Sequence, residues 1–63
     1  MTDFFDTTVQ IHSETDRAIL VSEDGDEFEA VWLPLAEIEV NKRRGAIADV
    51  SIPDWLAADR GLV

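Results

Sequence analysis

Seven carboxylates, Glu23, Asp24, Asp26, Glu27, Glu29, Glu37 and Glu39, fall within seventeen residues in the middle of the chain. Such a group can ligate a hard cation, share protons, or display negative charge. Calcium binding through Asp24-Gly25-Asp26-Glu27 fails on spacing. An EF-hand needs a longer loop with acids at fixed offsets, a glutamate in its twelfth position and flanking helices. Proton chemistry needs paired groups whose surroundings push their pKa values apart, and nothing near Asp49 or Asp54 predicts the buried pocket that would do so. His12 is the single histidine, and there is no cysteine. With no serine at relay spacing, neither a catalytic triad nor a zinc site can be assembled. The chain therefore reads as a non-enzyme without cofactor or metal, and display of charge remains.

Carboxylates at i and i+2 on a strand stand about 6.7 Å apart, roughly twice the 3.4 Å spacing of phosphates along one DNA strand. Glu27/Glu29 and Glu37/Glu39 are two such pairs, so on strands they would form a ladder resembling a phosphate backbone. The plainer reading is a solvated turn that keeps a small protein soluble and discourages edge pairing. Fourteen acids face five bases, a net charge of -9, and residues 1–41 hold eleven of the acids with Arg17 as their one base. Such a surface repels nucleic acid and anionic membranes and attracts basic protein surfaces. Lys42-Arg43-Arg44, the single basic cluster, is expected to neutralise nearby carboxylates or to touch an acidic spot on a protein partner.

These side chains need a scaffold, and 63 residues provide one domain, residues 1–63, with little core to spare. A monomer or a homodimer fits that size. No run of about 20 apolar residues is present to cross a membrane, and Met1-Thr2-Asp3 has the wrong charge for a signal peptide. A cytoplasmic location is expected. After a loose start, Phe5, Thr7, Val9 and Ile11 alternate with Asp6, Thr8, Gln10 and His12, the period of a half-buried strand. Ser13-Glu14-Thr15-Asp16 reads as a turn, and Ala18-Ile19-Leu20-Val21 as a second strand. Asp24-Gly25 predicts a tight hairpin. In that register Val21 faces Phe28, Ile19 faces Ala30 and Arg17 faces Trp32, and Trp32 anchors the sheet.

Pro34 turns the chain because it has a fixed φ and no N–H. Ile38 and Val40 then point inward while Glu37 and Glu39 point out. Asn41-Lys42-Arg43-Arg44-Gly45 predicts a charged hairpin loop, followed by a strand with Ala46, Ala48, Val50 and Ile52 on one side. A short helix follows Pro53, with Ser51 and Asp54 at capping-box spacing and Gly61 as its stop. Trp55, Leu56 and Leu62 are expected to dock it on the sheet, with Trp32 and Trp55 both in the core. Strands followed by a helix imply a small α+β fold, a twisted antiparallel sheet of about five strands carrying one C-terminal helix, rather than a short barrel with a helical lid.

Val31-Trp32-Leu33-Pro34-x-x-x-Ile38-Glu39, followed by Ile52-Pro53-x-Trp55-Leu56-Ala57-x-x-x-Gly61-Leu62, resembles short acidic phage and prophage proteins over residues 17–63. Those proteins often have Lys-Ser after the proline, where this chain has Leu35-Ala36. In size, charge and mixed make-up the chain also resembles small anti-CRISPR proteins, which commonly cover the DNA-reading surface of an effector. The resemblance implies a phage origin, and the one-signed acidic surface then points to an inhibitor that blocks DNA access by charge mimicry through Glu23, Asp24, Asp26, Glu27, Glu29, Glu37 and Glu39. The competing expectation is an adaptor in phage recombination or replication.

Overall fold

In the computed structural model, which describes residues 3–62, the alternating first segment becomes the long central strand β1, Phe4–Glu14. The expected loose start at Met1-Thr2 lies outside those residues. The remaining strands are β2 (Ala18–Ser22), β3 (Val31–Pro34), β4 (Glu39–Arg44) and β5 (Ile47–Pro53), and the helix α1 covers Asp54–Asp59. They form one five-stranded antiparallel sheet in the order β3-β2-β1-β5-β4, with one C-terminal helix. The α+β architecture is as expected.

Gln10 is the one β1 residue paired on both sides, with Ser22 and Ile47. Before it β1 pairs with β5, and after it with β2. The register slips between Ile11 and Ser13, leaving His12 as an extra residue, a bulge that bends its strand. The sheet must curve. Five residue steps from Pro34 to Glu39 reach at most about 17 Å, whereas the edges of a flat five-stranded sheet lie about 19 Å apart before any lengthwise offset. The 3-10 turn Leu35–Glu37 and the buried Ile38 make this crossover beneath the curved sheet.

Val9 and Ile11 of β1, Ile19 and Val21 of β2, Leu33 of β3, and Ala48, Val50 and Ile52 of β5 meet Ile38, Leu56 and Ala57 in one buried cluster. Phe5, Val31, Leu35 and Leu62 pack on its margin. The alternation in β1 and β5 is thus as expected. The helix stop is too. Gly61 has φ +76°, the Leu62 N–H donates to the Ala57 carbonyl at 2.8 Å, and the Gly61 N–H donates to Ala58 at 3.2 Å. These are the paired bonds of a Schellman motif.

Several expectations fail. The β2–β3 connection is not a two-residue hairpin. Val21 pairs with Val31, Leu20 with Trp32 and Ile19 with Leu33, a shift of three residues from the Asp-Gly register. An odd shift exchanges the two faces of a strand. Leu33 therefore enters the core, while Trp32 stays 44% exposed on the opposite face and Phe28 is carried into the loop. In the longer loop Asp24 and Asp26 cap the backbone that follows them, bonds that take the place of ladder pairing there. Trp55 is 55% exposed, because α1 buries Leu56 and Ala57 instead. Six residues of helix present one narrow buried stripe.

No capping box forms either. Pro53 occupies the N-cap with no side-chain bond, and Ser51 is buried in β5. Its Oγ donates to Asp6 Oδ1 at 2.6 Å and accepts from Asn41 Nδ2 at 2.7 Å. Asn41 through Arg44 belong to β4 rather than a loop, with Gly45 (φ +57°) and Ala46 alone making the turn between the paired Arg44 and Ile47. Ser13 and Glu14 prolong β1. Val40, expected inward, is 42% exposed on the edge strand.

Candidate partner-binding surface

Five of the seven carboxylates sit together in the connection from β2 to β3. The loop is ordered by its own acids. Asp24 Oδ1 accepts the Asp26 N–H at 3.0 Å, and Asp26 Oδ1 accepts the Phe28 N–H at 2.9 Å. Both are Asx turns, in which a short carboxylate replaces a backbone carbonyl. They lead into the 3-10 turn Glu27–Glu29, closed by Glu29 N–H to Asp26 O at 3.1 Å and Ala30 N–H to Glu27 O at 3.2 Å. Glu23 accepts a 2.7 Å bond from Thr7 Oγ1 on β1, tying the loop to the central strand. Gly25 (φ +83°) lies against Gln10, whose Oε1 would be 3.1 Å from an added Cβ.

Glu27 and Glu29 therefore differ from the expected strand pair. In a 3-10 turn, residues two apart point away from each other around the axis, so the phosphate-spaced ladder does not form there. The other pair survives better, since Glu37 and Glu39 are exposed on either side of the buried, extended Ile38. Those two lie on the crossover and at the start of β4, the opposite edge from the β3 side of the sheet. The seven acids thus form a loop cluster of five and a separate pair.

The basic strand does not neutralise them. Among the described residues the ion pairs are Arg43 with Glu14, and Arg60 with its neighbour Asp59. The Arg43 guanidinium grips both Glu14 carboxylate oxygens, at 3.0 and 2.9 Å, and donates from Nε to the Gly45 carbonyl at 2.8 Å. Hydrogen bonding from Arg43, and then its charge, hold the exposed Glu14 carboxyl below its usual value, and the same bond raises Arg43. Arg60 donates from Nε to the Trp32 carbonyl at 2.9 Å and so locks the end of α1 to β3.

One pairing was not legible in the sequence. His12 Nε2 and Ser22 Oγ share a 2.7 Å hydrogen bond, although no spacing rule joins residues ten apart in the chain. The β1–β2 register, which pairs Gln10 with Ser22 just before the bulge at His12, brings them together. Ser22 is 2% exposed, so no substrate carbonyl can reach its hydroxyl, and the bond fastens β1 to β2. Among the described residues no group of three or more His, Cys, Asp or Glu is arranged to hold a metal ion, and no helix is long and apolar enough to cross a membrane. Comparison with family models, curated proteins and solved structures finds no match.

Proposed function

We propose that this chain is a non-enzymatic binding protein whose acidic loop and crossover engage a basic protein surface that handles nucleic acid. The observation that carries this is the Glu23–Glu29 loop, held in shape by its own carboxylates and left without any cation partner among the described residues. Preorganised charge costs little to bind with and speeds encounter with a basic patch. In its most specific form the protein is a phage-encoded, anti-CRISPR-type inhibitor acting in the host cytoplasm, a reading supported by the resemblance of residues 17–63 to phage proteins and by the likeness to anti-CRISPR proteins in size and charge. Glu23, Asp24, Asp26, Glu27, Glu29, Glu37 and Glu39 carry the contact, with Asp24 and Asp26 acting mainly on loop shape and Glu27 and Glu29 free to face the partner. We also infer that the sheet carries the right-handed twist that backbone sterics give ordinary strands.

The test is target-DNA binding by a panel of purified CRISPR effector complexes with the protein in stoichiometric excess. Loss of DNA binding by at least one complex, restored when salt is raised from about 0.1 to 0.5 M, is the expected result. Undiminished DNA binding by every complex removes the inhibitor reading. An adaptor in phage recombination predicts instead a phage-encoded partner whose binding changes little with salt.

A further inference from the structure

Phe28 is 93% exposed, far more than any other large apolar side chain described. It is not on a loose chain. Its own N–H is bound by Asp26 Oδ1, and the bonds from Glu29 to Asp26 and from Ala30 to Glu27 close the turn around it. A ring held out on an ordered turn loses little entropy on docking and has a large apolar area to bury. Glu27 and Glu29 flank it and have no hydrogen-bond or ion-pair partner from a side chain among the described residues.

The β4 and β5 strands at the other end of the sheet order have the complement. Lys42, Arg44, Ile47 and Asp49 line an open surface depression of about 140 Å³. Ile47, the apolar member of that lining, is 46% exposed. Lys42 and Arg44 share a face of β4, because their ladder partners Asp49 and Ile47 are two apart on β5. Neither cation has an ion-pair partner among the described residues. Asp49, opposite Lys42, has its Oδ1 occupied by Thr8 Oγ1 at 2.6 Å.

We propose that the chain self-associates by seating Phe28 of one copy in the Lys42/Arg44/Ile47 depression of a second copy. Size and charge both select this occupant. A phenyl ring fits the volume, Glu27 and Glu29 meet Lys42 and Arg44, and the Arg44 guanidinium can lie on the ring face. A ring on the β2–β3 loop and a depression on β4 and β5, toward opposite edges of the sheet, make a head-to-tail contact, which closes into a ring or extends as a chain of copies. Pairing of edge strands is not the mode, because Pro34 ends β3 and the bulge at Asn41 interrupts β4. The proposal needs no second protein species, but it occupies the Glu27 and Glu29 that the inhibitor reading leaves for a partner, so the two contacts compete for one loop.

Sedimentation equilibrium on the intact chain tests it, from about 10 μM to about 1 mM, where modest interfaces dissociate. The mass is expected to rise from 7.0 kDa to twice that value or more. Two chains carrying a net charge of -9 each repel at long range, so association should be stronger at 0.15 M than at about 0.01 M salt, where the Debye length is about 30 Å. Phe28→Ala should weaken association at least tenfold. Glu27→Lys/Glu29→Lys and Lys42→Glu/Arg44→Glu chains, each folded by circular dichroism, should be monomeric alone and associate when mixed. A wild-type chain monomeric at 1 mM overturns the proposal. So does a Phe28→Ala chain that associates like wild type, or swapped chains that ignore each other.

Discussion

Leu33 and Trp32 are neighbours on β3 that point to opposite faces, and their unequal burial locates the stability of the fold. Leu33 is fully buried while Trp32 is nearly half exposed. Leu33→Ala removes a core side chain and is expected to cost about 2–5 kcal/mol, enough to unfold much of so small a domain. Trp32→Ala should cost no more than about half as much, because much of its surface already meets water. Urea midpoints of the two variants compare them directly, and equal losses would contradict this placement. Glu14 makes a second prediction. Its folded pKa is depressed by Arg43, so its contribution is present above the unfolded pKa and is lost as pH falls through the folded value. Glu14→Gln should melt slightly below wild type at pH 7, with the gap closing on acidification below the carboxylate's ordinary 4.5.

At the scale of elements, local chemistry decided where chains turn and tertiary packing decided which face is buried. Gly61 stops α1 with a positive φ and has open space around its missing Cβ. Gly61→Ala is therefore expected to cost about 1 kcal/mol of backbone strain alone, read as a lower thermal midpoint without loss of the folded state. The failed capping box has a related lesson. Ser51 and Asp54 have the right spacing, yet Ser51 sits where β5 still pairs with β1 and β4, and its hydroxyl is taken by Asp6 and Asn41. The Asp54 N–H finds the Asp3 carbonyl at 2.9 Å instead. A helix start that follows a strand directly borrows its cap from the sheet.

The whole molecule holds a net charge of -9 on a small curved sheet, with two ion pairs among the described residues. Self-repulsion of that kind opposes compactness and is screened by salt. The thermal midpoint should rise as sodium chloride goes from about 0.01 to 0.3 M, where the Debye length falls from about 30 Å to below 8 Å. A midpoint indifferent to salt would mean that the carboxylates lie too far apart to repel. The acidic loop is the part of this charge that a partner or a second copy can use, because its backbone is already ordered.

Composition and periodicity alone determined the strand content, the C-terminal helix with its glycine stop, the inward faces of β1 and β5, and the acidic surface. Each follows from side-chain alternation, from φ at glycine and proline, or from counting charges, all of which are local. The β2–β3 register, the exposure of Trp32 and Phe28, the His12–Ser22 bond and the division of the carboxylates into two groups came from tertiary structure. Asp24-Gly25 permits a two-residue hairpin as readily as a longer loop, and burial of Leu33, paired with Ile19, in the common core favours the longer one. An odd shift in one ladder is invisible to any pattern within a strand, yet it decides which aromatic residues meet water.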